Sequence, residues 1–240
     1  MNLTPLKSYN FSKKERNKGK IKFLIIHYTG MQSMRASIKR LTSPKHKVSC
    51  HYLVSREGKI FHMVEDDKVA WHAGKSKWGN LKNLNNSSIG IELVNKGHEF
   101  GYQKFSKKQI NSLILLCTQL KNKYKIKNRF ILGHSDIAPL RKSDPGEKFP
   151  WFKLKQKKIG IWYSLNNKSF SFRKLSQNKI RGIFFRNLFK IGYRYFNKVK
   201  YSSTDKLIIR SFQRRFRQKK VDGKIDEECF KISHYLAKNS

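Results

Sequence analysis

The chain has 240 residues, enough for one large domain or a medium domain with a small one. A 38% hydrophobic and 13% aromatic content excludes a disordered chain, and no apolar run approaches the roughly 18 residues of a membrane span. With 54 Lys and Arg against 15 Asp and Glu, a formal charge of +39, the composition points to polyanions: nucleic acid, acidic lipid headgroups or an anionic wall polymer.

Residues 1–20 are polar and basic and read as an extended arm. They contain no apolar stretch that could serve as a signal peptide, and Cys50, Cys117 and Cys229 are too far apart for a C-x-x-C pair. Both features favour a cytoplasmic setting; an envelope location would require a start other than Met1. Residues 21–27 (IKFLIIH) form a short β-branched run expected as a buried strand, and 51–55 with 59–64 around Glu57-Gly58 predict a hairpin. Residues 87–95 predict another strand. Ser106 is suited to cap a helix over 106–124 that carries Ile110, Leu113, Ile114, Leu116, Cys117 and Leu120 at helical spacing, and 129–134 reads as the next strand. A mixed α/β domain over 21–152 results.

From Lys148 to Thr204 there are 15 basic residues and no acidic one, with apolar content falling after Lys153, so a basic linker is placed at 153–178. Beyond it, 183–191 looks helical, Thr204 can cap a helix with Ile208, Phe212 and Phe216 at i, i+4, i+8, and Asp222-Gly223 is a turn before a last helix from Asp226. These predict a small three-helix domain over 179–240.

Of the eight histidines, His46, His98 and His234 sit in polar or helical surroundings and read as ordinary. His27 and His134 differ, because each ends a buried strand where a chain leaving a sheet presents side chains to a cleft. Asp144 follows His134 in a loop that Pro139, Pro145 and Gly146 keep from being regular helix, and such a loop can return a carboxylate to the strand end. Catalytic zinc takes three such ligands and leaves a position for water, although Asp144-Pro145-Gly146 also reads as a simple turn. Glu92 interrupts an otherwise apolar strand, so it must be paired, protonated or functional; a buried salt bridge is the alternative. Lys142 shares the Asp144 loop and could place an ammonium by the metal, or be one more solvated lysine.

The segments Ile26-His27-Tyr28-Thr29, Ala70-Trp71-His72-Ala73-Gly74, Ser88-Ile89-Gly90-Ile91-Glu92-Leu93 and Gly133-His134-Ser135-Asp136-Ile137-Ala138-Pro139, followed by Arg141-Lys142-Ser143-Asp144-Pro145-Gly146, occur in this order. Together they resemble the zinc-dependent N-acetylmuramoyl-L-alanine amidases of type 2, of the AmpD and AmiD kind, which share a fold with T7-type lysozymes and peptidoglycan recognition proteins. The resemblance implies an α/β fold with a central mixed sheet flanked by helices, and one Zn2+ per chain on His27, His134 and Asp144. It implies cleavage of the amide between the lactyl group of N-acetylmuramic acid and L-alanine, with Glu92 as the catalytic glutamate and Lys142 polarising the carbonyl. Tyr28, Trp71, His72 and Trp78 would contact substrate, core packing being the alternative for the tryptophans. Asn80 follows Gly79 where AmpD-type members often carry arginine, which argues against a strong preference for 1,6-anhydromuropeptides. Residues 209–216 with 221–226 resemble a peptidoglycan-binding three-helix module.

The expected partners are therefore peptidoglycan or muropeptides, with no specific nucleic acid, since no zinc finger or RNA-recognition signature accompanies the charge. The chain is expected to be a monomer without a transmembrane segment. A non-catalytic peptidoglycan-recognition protein is the alternative, and it would be expected if a ligand were missing.

Overall fold

The computed structural model describes residues 2–13, 15–165, 172 and 175–239. In chain order the elements are β1 (Leu3–Pro5), β2 (Phe11–Ser12), β3 (Phe23–Tyr28), α1 (Met34–Thr42), β4 (Tyr52–Val54), β5 (Ile60–His62), β6 (Val69–Ala70), β7 (Lys77–Trp78), β8 (Leu81–Lys82), β9 (Ser88–Leu93), α2 (Lys107–Lys123), β10 (Ile131–Gly133), α3 (His134–Ile137), α4 (Trp151–Gln156), α5 (Gln177–Ile191), α6 (Asp205–Phe216) and α7 (Glu227–Lys238). The predicted hairpin is β4–β5, antiparallel, and Ser106 caps α2 by accepting from the Gln109 N–H. Among the described residues no helix is long and apolar enough to cross a membrane.

The main sheet has the order β1-β5-β4-β9-β3-β10 and is mixed: β4, β9, β3 and β10 run parallel, while β5 returns antiparallel. Alternation along a strand assigns each residue to one face. On β3, Leu24 and Ile26 face a core built with Ile110, Leu113 and Leu120 of α2, whereas Phe23 and Ile25 face a second core. His27 continues the second set. On β9 the same face carries Ser88, Gly90 and Glu92, since Ile89, Ile91 and Leu93 belong to the α2 side.

A parallel sheet needs cover on both faces. Here the second face is covered partly by Ala73, Trp78 and Ile137 and partly by Phe184, Phe185, Leu188 and Phe212 of α5 and α6, all in one apolar cluster with Phe23, Ile25 and Leu132. The C-terminal helices therefore share a core with the sheet, because the apolar stripe of α6 meets strand residues as well as its fellow helices. In the stretch expected as a linker, 153–178, residues 153–156 belong to α4, Gln177 starts α5, and Trp162 and Tyr163 pack against buried residues; 166–171, 173 and 174 lie outside the described residues.

The segment expected as an arm is likewise docked. β1 pairs parallel with β5, and β2 pairs with β6. Ser8, Asn10 and Arg16 are buried. Backbone and side-chain hydrogen bonds to the neighbouring strands and loops hold this polar segment down, a source of order that hydropathy does not register.

Candidate active site

β3 and β10 are adjacent and parallel, with Gly133 opposite Ile26, so the next residues, His27 and His134, emerge side by side at the C-terminal edge of the sheet. The loop after α3 folds back because the Ser135 N–H donates to the Asp144 carbonyl at 2.8 Å. Three atoms converge as a result: His27 Nδ1 and His134 Nδ1 are 3.0 Å apart, and each is 3.1 Å from Asp144 Oδ2. All three residues are buried.

Hydrogen-bond partners determine the tautomers. His134 Nε2 lies 3.1 Å from the Ala73 carbonyl, which only accepts, so it carries the proton and Nδ1 holds a lone pair. The Ser88 hydroxyl donates to the Leu84 carbonyl at 2.6 Å and so accepts from His72 Nε2 at 3.2 Å. His72 Nδ1 is then an acceptor, and His27 Nε2, 3.0 Å away, must donate to it. Both imidazoles thus aim Nδ1 lone pairs, with a carboxylate oxygen, at one point. Three converging acceptors repel one another unless a cation lies among them. A tetrahedral zinc with bonds of about 2.0–2.1 Å would separate its ligand atoms by roughly 3.3 Å, close to the spacing present. The donor set, with its outer hydrogen bonds, fits zinc.

Burial, and next the neighbouring His134, lower His27 to about 4. Burial pushes the Asp144 carboxyl up, but the two imidazoles, His134 foremost, outweigh it and hold Asp144 well below the usual carboxylate range. His27 and Asp144 therefore need not shed protons at neutral pH to receive a metal.

Glu92 stands beside His27 in register, and its Oε2 is buried with no hydrogen-bond partner. Burial, reinforced by Asp144, raises it to about 8, against the opposing charges of Lys142 and Arg40. His134, Asp144, Glu92 and Lys142 line one cavity of about 370 Å3, within the roughly 300–1,000 Å3 typical of small-ligand sites. Tyr28 and Trp71 lie at the same cavity.

The chain is similar to known proteins over most of its length. The profile of the family described as N-acetylmuramoyl-L-alanine amidase matches residues 17–147. N-acetylmuramoyl-L-alanine amidase AmiD of Escherichia coli (strain K12) is 34% identical over 232 residues, covering 90% of this chain and 82% of that protein. The 1,6-anhydro-N-acetylmuramyl-L-alanine amidase AmpD of Haemophilus influenzae is 40% identical over 106 residues, 44% of this chain and 55% of that protein. Among solved structures, Escherichia coli AmiD in complex with anhydro-N-acetylmuramic acid-L-Ala-D-gamma-Glu-L-Lys aligns at a TM-score of 0.81 and 31% identity, over 95% of this chain and 92% of that chain. AmpDh3 of Pseudomonas aeruginosa aligns at 0.82 and 30% identity, over 100% and 99%. The chain belongs to the N-acetylmuramoyl-L-alanine amidase family.

In this amidase, two of the expected substrate contacts stand elsewhere or do something else. Trp78 is absent from the cavity lining: it is buried, 4.9 Å edge-on to Tyr193, and a Cβ on Gly192 would meet its ring at 2.3 Å. Its indole fills the seam between the β7–β8 hairpin and the C-terminal helices, because the glycine leaves a slot there. His72 touches the cavity but is buried, and its ring nitrogens are engaged with His27 and Ser88. Its hydrogen bond to Nε2 orients the His27 ring.

Other residues reach the site without a sequence signal that singled them out. His98 lies in the cavity wall of the amidase, with Nδ1 2.8 Å from the Tyr28 hydroxyl and Nε2 3.2 Å from Glu147. Its place just beyond the end of β9, the position type that marked His27 and His134, was the available clue. Arg141 donates to the Ala73 carbonyl at 2.5 Å and to the Lys75 carbonyl at 3.0 Å, fixing the loop that holds His134 Nε2.

Proposed function

We propose that this amidase is zinc-dependent and hydrolyses the bond between the lactyl group of N-acetylmuramic acid and the L-alanine of a stem peptide, in peptidoglycan turnover or muropeptide recycling. One observation carries the reading: the lone pairs of His27, His134 and Asp144 converge beside Glu92, whose buried Oε2 has no hydrogen-bond partner.

A zinc ion on these ligands would lower the pKa of a water and draw charge from the substrate carbonyl. Glu92 is the proton carrier. Half-buried on the sheet, it would take a proton from the attacking water once a cation on the three ligands favours its ionised form, and would release that proton to the departing alanine amine. Lys142, exposed on the loop above, holds its ammonium where the carbonyl oxygen gains charge; a donor of this kind contributes about 10²–10³ in rate. Tyr28, with its hydroxyl held by His98 and Ser143, and Trp71, with its indole N–H on Ser12, form the walls against which substrate lies. The basic run from 148 to 204 adds attraction for an anionic wall polymer.

The test is mass analysis of products released from intact sacculi and from isolated anhydromuropeptides, alongside metal analysis of the purified protein. Free stem peptides and about one zinc per chain are expected. Full activity in His134→Ala would overturn the reading.

A further inference from the structure

The turn that carries two of the metal ligands is held from outside by the C-terminal helices. Asp136, two residues beyond His134, is buried. Its Oδ2 accepts from the Gly133 N–H at 2.8 Å and from Arg215 Nη1 at 2.5 Å, and its Oδ1 accepts from the Tyr193 hydroxyl at 2.6 Å. The other nitrogen of the Arg215 fork, Nη2, donates to the Ile131 carbonyl of β10 at 2.9 Å, and the guanidinium lies 4.5 Å from the centre of the Trp151 ring. On the other side of the ligand, the Ser211 hydroxyl of α6 donates to the Ser135 carbonyl at 2.7 Å, while the Ser135 N–H holds the Asp144 carbonyl.

We propose that Tyr193, Ser211 and Arg215 are positioning residues for the metal centre: they clamp the His134–Asp144 turn, so that zinc affinity and turnover depend on helices beyond residues 17–147. The proposal rests on the zinc reading above. Its physical basis is directional. Apolar packing alone would hold α6 on the sheet, and a buried ion pair adds little net stability over a well-packed apolar one, so the value of Arg215–Asp136 lies in the geometry it dictates. Each bond ends on a backbone or side-chain group within three residues of His134, and one of them on the Ser135 peptide that holds Asp144. A shift of that turn moves two ligand atoms together.

The experiment uses the full chain, stripped of metal. Zinc affinity is measured by competition with a chromophoric chelator, the d–d spectrum of the Co2+-loaded protein reports ligand geometry, and kcat and KM are measured separately. The variants are Tyr193→Phe with Ser211→Ala, Arg215→Lys and Arg215→Met, each checked for folding by circular dichroism. The Tyr193→Phe/Ser211→Ala chain is expected to fold, to bind zinc about 10- to 100-fold more weakly, to show a shifted Co2+ spectrum, and to lose kcat with KM little changed. Arg215→Lys should recover part of what Arg215→Met loses. If Arg215→Met does not fold, the milder double variant decides. Parent-like zinc affinity and an unshifted Co2+ spectrum in that folded double variant overturn the clamp. A parent chain that binds no zinc overturns the zinc reading and the clamp with it, a result distinct from the first.

Discussion

His27 and Glu92 are register partners on the adjacent parallel strands β3 and β9, so their side chains leave the same face of the sheet at the same height. Neighbouring strands lie about 4.8 Å apart, so strand pairing alone sets the proposed metal ligand beside the proposed proton carrier. The small residues Ser88 and Gly90 precede Glu92 on that face and leave room for His72 to lie over the strand.

Exchanging Glu92 for Gln keeps the shape and removes the proton acceptor, so hydrolysis should fall by about 10²–10⁴-fold with zinc content unchanged. Stability should move the other way. Glu92 is raised from 4.5 to about 8 by burial and by Asp144, so between these values the folded metal-free chain keeps a proton that the unfolded chain releases. Its stability contribution therefore declines as pH rises through that window, and Gln has no such decline. The Tm of metal-free Glu92→Gln, minus that of the parent, should grow from about pH 5 to about pH 8 and then level off. A difference independent of pH contradicts this.

Gly90 is where the His72 ring needs space. A Cβ there would meet three ring atoms at 2.3 to 2.6 Å. Gly90→Ala should cost about 1–3 kcal/mol by overpacking and displace the ring that accepts from His27 Nε2. Thermal unfolding and chelator competition should both register the change; a variant with parental zinc affinity would show that His72 does not orient His27.

Acid should weaken the fold through its buried histidines. Burial, with Arg16 next in effect, lowers His51 to about 3, so between that value and 6.5 the native chain binds fewer protons than the unfolded one. The stability is present above 6.5 and is lost as pH falls through the window. His27 adds to the same trend, and so does His72, which burial and then His27 hold well below its ordinary value. In His51→Gln the plot of unfolding free energy against pH, from urea titrations, should be shallower by about one proton, or about 1.4 kcal/mol per pH unit. An unchanged slope rules out His51 as a contributor.

Arg16 anchors the N-terminal segment. It donates to the carbonyls of Asp66 at 3.0 Å, Asn85 at 3.0 Å and Ser88 at 2.6 Å, and contacts His51 Nε2 at 2.9 Å. Arg16→Met leaves buried acceptors unpaired and should destabilise the fold by about 3–5 kcal/mol, read as a fall in urea midpoint at constant slope. A midpoint close to the parent's would return residues 1–20 to the status of a loose arm.

The features legible along the chain were those set by local pattern. The apolar run ending at His27, the Ser106 cap, the hairpin at Glu57-Gly58 and the proline-bounded loop to Asp144 each state their structure within a few residues, and His27, His134 and Asp144 meet because parallel strands end at one edge. A lone Glu92 in an apolar strand was conspicuous for the same reason: period-two burial makes a charge an exception. What the chain could not state was which distant surface covers which. Trp71 follows β6 and Trp78 ends β7, two short strands alike in sequence signal, yet packing against Gly192 and Tyr193 turns Trp78 inward. His72 became a neighbour of His27 only once Gly90 left space, and the stripe of α6 found its partners in Phe23 and Ile25 across the whole chain. The residues proposed to do chemistry were written locally; the residues that aim them were decided by tertiary contact, because burial of an apolar face depends on shape and proximity that no short window of sequence contains.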